Sequence, residues 1–265
     1  MDPSRRADVV LTKAGAMIDG GAPVETFEEI DSTLLEARRR AERGELGPVW
    51  LIARRQTAGR GRRGRAWLSF DGNLLATHLF AASRPPHKIA LLGFAAGLAI
   101  AEAFEAAGAR APATLKWPND VLIGGAKAAG ILIDSGSAAG GGAWAALAFG
   151  VNIAAAPQAI DQPTICLREA LAPDSPTPAP LQFFADLRPR LENWAARLAS
   201  DGFEPLRQAW LARAHGLGQP AHVMHGVETL SGQLAGLSPR GELELDTPLG
   251  RRLIAAGDVY FSNAA

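Results

Sequence analysis

Hydrophobic and polar positions fall into two regimes along this chain. Up to about residue 215, apolar runs of strand length alternate with longer stretches at helical spacing; from Gln219 onward only short runs remain, separated by Gly226, Gly241 and Gly250. The first regime predicts strands near Glu25–Ile30, 49–54 and 73–80, then 113–117, 120–123, 128–133 and 143–151. Asp31 or Ser32 suits the N-cap of a helix running through Arg43, and Gly44 is placed to close it. Leu91, Leu92, Phe94, Leu98, Ile100 and Phe104 predict a helix over Ile89–Ala107, apolar enough to lie buried against a sheet. After a loop punctuated by Pro173, Pro176, Pro178 and Pro180, residues Leu181–Leu198 and Pro205–Ala214 again carry helical periodicity. The order is not a regular βαβ alternation, so the fold class is mixed α/β, a sheet with helices packed on it. The second regime has runs at Ala221–Met224, Thr229–Leu237, Glu242–Leu245, Arg251–Ala255 and Val259–Phe261 and predicts a small β-barrel-like unit. The expected division is an arm over residues 1–24, a main domain over 25–216 and a small β domain over 217–265.

Composition narrows the class of molecule without choosing a function. A chain of 265 residues suffices for one large and one small core. Lys plus Arg and Asp plus Glu are equal at 27 each, so no overall basic field draws the chain to duplex nucleic acid or an acidic membrane. The lone Cys166 excludes an intramolecular disulfide and a cysteine metal cluster, and reads as a small core residue. His78, His87, His215, His222 and His225 form no HExxH pair, which leaves a transition-metal site unsupported. The apolar run Ile89–Ala101 stops at Glu102, too short to span a bilayer, and Asp8, Lys13 and Asp19 interrupt any secretion signal. The expected location is the cytoplasm.

The arginines are nevertheless concentrated. The run Gln56-Thr-Ala-Gly-Arg-Gly-Arg-Arg-Gly-Arg65 sets Arg60, Arg62, Arg63 and Arg65 among Gly59, Gly61 and Gly64, just before Trp67. Glycines let the backbone turn where side chains would obstruct it, so guanidinium and N–H donors can close around a phosphate or a carboxylate. The order matches neither a Walker loop nor the dinucleotide fingerprint. A solvated linker or a nonspecific nucleic-acid contact would use the same residues, but this loop is suspended between the apolar runs Val49–Ala53 and Asn73–Phe80. Long loops pinned by rigid elements are usually functional. Nearby, Thr114–Val121 brings Lys116, Trp117, Asn119 and Asp120 together around Pro118, and Lys127 opens the apolar run ending at Asp134. Taken singly, each lysine reads as an ordinary surface residue.

These segments together resemble biotin protein ligases. The resemblance rests on Asp31-Ser-Thr33, the arginine loop, Lys116-Trp-Pro-Asn-Asp120, the Lys127-x-x-Gly-Ile-Leu132 strand and Phe149-Gly-Val-Asn-Ile153, in the family's order, and extends from about Glu25 to the C-terminus. It implies a catalytic domain of the biotin/lipoate ligase type and an SH3-like C-terminal domain closing on Ala256-Gly-Asp-Val259. It also implies the monofunctional type, since no room is expected before residue 25 for a helix-turn-helix, and hence no DNA partner.

The implied chemistry spends ATP with Mg²⁺ to convert biotin to biotinyl-5′-AMP, then passes the biotinyl group to a lysine of biotin carboxyl carrier protein, that of acetyl-CoA carboxylase first among candidates. Carried over by motif, Arg62, Lys127 and Asp120 are the catalytic set: Arg62 bridges carboxylate and α-phosphate, Lys127 faces the reacting oxygens, and Asp120 assists the incoming amine. Ser32, Thr33, Gln56, Arg60, Gly61, Arg62, Lys127 and Gly130 are the expected biotin contacts. Arg60, Arg62, Arg65, Trp67, Asn119, Lys127 and Asn152 are the expected ATP contacts. Ser32 reads equally as a helix cap, Trp67 as a core indole, and Asn119 with Asp120 as a turn after Pro118. Leu34 departs from the polar Asn usual in the family. A lipoate or octanoate ligase and a noncatalytic biotin-binding protein are the alternatives, and a homodimer is open.

Overall fold

The computed structural model describes residues 21–138, 141–158, 162–226 and 228–261. Residues 1–20 of the expected arm, and the side chain of His225, lie outside the described residues. The elements run β1 (Val24–Ile30), α1 (Thr33–Glu42), β2 (Val49–Gln56), β3 (Leu74–Ala81), α2 (Pro86–Ala90), α3 (Leu92–Ala106), β4 (Ala113–Lys116), β5 (Asp120–Ile123), β6 (Ala126–Ser137) and β7 (Ala143–Val151). Then follow α4 (Leu167–Ala170), α5 (Pro180–Ser200), α6 (Glu204–Leu211), β8 (Pro220–His225), β9 (Glu228–Leu237), β10 (Leu243–Thr247), β11 (Gly250–Ile254) and β12 (Asp258–Phe261).

A seven-stranded sheet in the order β1-β2-β3-β7-β6-β5-β4 forms the frame. Only β1 and β2 pair in parallel; the other ladders are antiparallel. The period of two decides what each face carries. Trp50, Ile52, Leu74, Ala76, Leu147, Phe149 and Ile131 point toward α3 and α5 and join the main core. Their neighbours Val49, Leu51, Leu79, Trp144 and Ala146 point the other way and pack under α1. Central strands β3 and β7 are buried on both faces, so they read as apolar runs without alternation.

The long apolar helix is interrupted. Leu91 separates α2 from α3, and the whole stretch Pro86–Ala106 spans 21 residues, long and apolar enough to cross a membrane by length and composition. This corrects the expectation that the run is too short. What identifies it as a core helix is that most of it is buried, with α3 packed against α5 and β4. Two other boundaries move for tertiary reasons. Helix α6 stops at Leu211 rather than 214, because Ala214 bridges Leu115, whose N–H donates to Arg213 O at 2.8 Å. Strand β6 extends beyond 128–133 because β7 pairs with it from Ala129 to Ser137. Helix α4, absent from the periodicity, is a single turn.

The second sheet, β11-β10-β9-β8-β12, is antiparallel throughout. It leans on the first body through Trp117, whose indole Nε1 donates to Gly241 O at 3.1 Å, and through Phe261, edge-on to His215 at 5.1 Å between centroids. Gly216 permits that approach: its φ is +74°, and a Cβ there would overlap the Phe261 ring.

Candidate active site

A cavity of about 680 Å³ opens on the α1 face of the larger sheet and is closed at one end by β12. Every residue expected to act in catalysis or to contact biotin or ATP lines it: Ser32, Thr33, Gln56, Arg60, Gly61, Arg62, Arg65, Trp67, Asn119, Asp120, Lys127, Gly130 and Asn152. The alternation that sends Leu79 and Trp144 under α1 sends Leu75, Ala148, Gly150 and Leu132 to the cavity.

One end is built of neutral hydrogen-bonding groups. Ser32 caps α1, its Oγ accepting from Leu35 N at a long 3.5 Å, so the cap leaves its hydroxyl proton uncommitted. The first N–H of that helix, on Thr33, has no partner within the helix and donates to Gln56 Oε1 at 2.7 Å. Thr33 Oγ lies 3.0 Å from the same oxygen and 2.8 Å from the hydroxyl of Thr77, a wholly buried β3 residue behind the cavity wall. Leu34 lines the cavity and also packs against the α1 core, which gives the apolar departure from the family pattern a packing partner.

The floor is main chain. Trp67 lies across Gly130 and Gly150, where a Cβ on Gly130 would stand 2.8 Å from Trp67 Cζ3 and one on Gly150 would overlap the indole. Gly130 therefore carries the indole. Trp67 Nε1 is a buried donor and Asn152 Oδ1 a buried acceptor, and neither has a protein partner among the described residues. Buried polar atoms are normally satisfied, so this wall is short of one acceptor and one donor.

The other end is charged. Lys127 Nζ sits 2.7 Å from Asp120 Oδ1 in an ion pair too bent for a directed hydrogen bond, and 5.6 Å from the Trp67 ring centroid. Asp120 Oδ2 accepts from Gln162 Nε2 at 3.3 Å, and Gln162 Oε1 accepts from Lys116 Nζ at 3.2 Å. Burial lowers the Lys116 pKa, with Lys127 and Arg65 adding to the shift against Asp120 and Asp258. Burial also lowers that of His215, assisted by Lys116. Arg62 has its Nη1 shared among Asn119 Oδ1 (3.3 Å), Gly257 O (3.0 Å) and Asp258 Oδ1 (3.1 Å). Its burial pulls the guanidinium pKa down, opposed chiefly by Asp258. Arg63 and Arg65 reach the same carboxylate at 3.0 and 3.2 Å. Asn119 is at once a turn residue and a site residue: its Nδ2 donates to Ile131 O at 3.0 Å while its Oδ1 takes Arg62.

Arg62, expected to bridge the carboxylate and the α-phosphate, is thus tethered through one nitrogen to the second sheet. The expected base, Asp120, has both oxygens engaged. Sequence reasoning missed Thr77, Gln162 and Asp258, and weighed Lys116 as a surface lysine. The first two lack any local signal; Asp258 stands inside the Ala256-Gly-Asp-Val259 close.

The profile of the Biotin/lipoate A/B protein ligase family matches residues 28–152. A biotin–acetyl-CoA-carboxylase ligase of Paracoccus denitrificans is 38% identical over 243 residues, covering 87% of this chain and 97% of its own length. The enzyme of the same name from Mycobacterium tuberculosis is 30% identical, covering 91% and 89%. Among solved structures, a biotin protein ligase from Aquifex aeolicus in complex with biotin and ATP superposes with a TM-score of 0.75 at 25% identity, covering 91% of this chain and 98% of that one.

Proposed function

Because the chain belongs to the biotin protein ligase family, we propose that this cavity joins biotin to ATP as biotinyl-5′-AMP, releasing pyrophosphate, and transfers the biotinyl group to a lysine of a carrier protein. The observation that carries the proposal is the convergence in one cavity of a hydrogen-bonding end at Thr33 and Gln56, an apolar wall, and a cationic end at Arg62, Arg65, Lys116 and Lys127. That sequence of surfaces matches a urea ring, an aliphatic tail and a carboxylate in order. The named relatives point to acetyl-CoA carboxylase as the protein that accepts biotin, and a cytoplasmic site fits that substrate.

In the first half-reaction a carboxylate oxygen of biotin attacks the α-phosphorus of ATP, and the bond to the pyrophosphate oxygen breaks. Two anions must meet, and fixed positive charge offsets their repulsion. Arg62 keeps Nε and Nη2 for that task, as neither donates to a described residue, and Lys127 adds a second cation beside Asp120, next along the chain from the Asn119 that Arg62 contacts. Asp120 and Asp258 are the carboxylates that line the cavity; Asp120, on exchanging its contact with Lys127 or Gln162, would hold an Mg²⁺ carried by ATP, which would neutralise phosphate charge, or would meet the incoming amine. The indole of Trp67 and the open acceptor of Asn152 suit an adenine ring, which presents an amino donor beside ring-nitrogen acceptors. In the second half-reaction the carrier lysine loses a proton, its amine attacks the acyl carbon, and AMP departs.

ATP–pyrophosphate exchange by the purified protein tests this directly, with biotin, lipoate and octanoate compared at equal concentration. Exchange dependent on biotin, followed by labelling of a biotin carrier domain, is the expected result. Exchange with lipoate or octanoate alone would reassign the acyl substrate, and binding of biotin with no exchange would reduce the protein to a binder.

A further inference from the structure

The hydrogen bonds behind the neutral end of the cavity can run in only one direction. Thr33 N–H is a donor, so the Gln56 side-chain atom 2.7 Å from it must be the carbonyl oxygen. A carbonyl oxygen cannot donate, so the proton of Thr33 Oγ–H goes to Gln56 Oε1 as well, at 3.0 Å. A threonine hydroxyl has one proton, and with that proton spent Thr33 must accept from Thr77, whose Oγ is 2.8 Å away. Thr77 is 0% exposed, so water does not compete for its hydroxyl, whereas Thr33 lines the cavity.

We propose that Thr77 is a positioning residue for substrate recognition: its buried hydroxyl donates to Thr33 Oγ and fills one of its two lone pairs, so that the other is held toward the cavity as an acceptor, beside the Gln56 Nε2 donor that Thr33 N–H sets in place. This rests on the biotin-ligase reading, and it deepens it. A cyclic urea offers a carbonyl acceptor beside an N–H donor, the complement of that pair. Thr77 does not line the cavity, and its effect passes entirely through Thr33 and Gln56. Without it, Thr33 regains rotational freedom, and the lone pair meant for the ligand is no longer held toward it.

Thr77→Val is nearly isosteric and removes the hydroxyl. The dissociation constant for biotin, read by calorimetry independently of turnover, is expected to rise about tenfold, the scale of one lost buried hydrogen bond with its partner left unsatisfied. The KM for ATP should stay within about twofold, since the charged end is untouched. Thr77→Ser keeps the hydroxyl and should bind like the parent. In a Gln56→Ala background, where the relay has no terminus, Thr77→Val should add less than about twofold. Unchanged affinity in Thr77→Val overturns the assignment, as does an equal loss in the Gln56→Ala background, or an equal loss in Thr77→Ser. Failure of the parent protein to exchange pyrophosphate while still binding biotin would strike the ligase reading alone.

Discussion

Two lysines face the same cavity, and their partners separate their roles. Lys116 is held by the neutral Gln162 and carries a pKa lowered by burial and by nearby cations, whereas Lys127 is locked to a carboxylate 2.7 Å away. A cation anchored in this way needs little reorganisation when charge develops on the reacting oxygens. Lys127→Met is therefore expected to lower the exchange rate by about 10²–10³. Its thermal midpoint, measured alongside, separates lost chemistry from lost fold, because Asp120 is left without its cation. Full turnover in a folded Lys127→Met protein would remove the assignment. At this scale the sequence was most legible where a charged residue opens or closes an apolar run, as Lys127 and Asp120 do. Thr77 gave no sign, because a threonine inside a strand is ordinary, and its partner Thr33 lies 44 positions away in the chain.

At the scale of elements, the two facts that shape the site are the glycine floor on β6 and β7 and the helix α1 that brings Ser32 and Thr33 to its edge. Gly150→Ala puts a methyl group into the Trp67 indole, which must tilt or lift. Overpacking of this kind costs about 1–3 kcal/mol in stability. Displacing a substrate-facing ring should also cut kcat/KM for ATP about 10- to 100-fold. A variant with parental kinetics would show that the indole does not meet the nucleotide. Strand and helix order was readable from periodicity because the α1 core and the main core impose it on alternate residues. The misjudged ends, at Leu211 and in β6, lie where a bridge or a neighbouring strand overrides local pattern. The break at Leu91 has no proline to announce it, and Gly93, two residues on, lies inside α3.

On the scale of the whole molecule, the site belongs to both sheets. Asp258 opens β12 and holds Arg62, Arg63 and Arg65, so the arginine loop is ordered by a residue nearly two hundred positions downstream. Asp258→Asn keeps the size and removes the charge, and three guanidinium groups then repel one another without a counterion. Trypsin cleavage between Arg60 and Arg65 should accelerate about tenfold, as local opening becomes easier. Unaltered protection would mean that the loop is ordered by its own turns. One carboxylate for three guanidinium groups still leaves the tethered loop electropositive, with Lys116 and Arg60 adding to it. Such a field draws in a nucleotide triphosphate and a carboxylate, yet repels the protonated lysine that must enter afterwards. Mobile ions shield both effects at once. Added salt should therefore slow adenylate formation while easing its discharge to the carrier, so the two halves of one reaction answer oppositely to ionic strength.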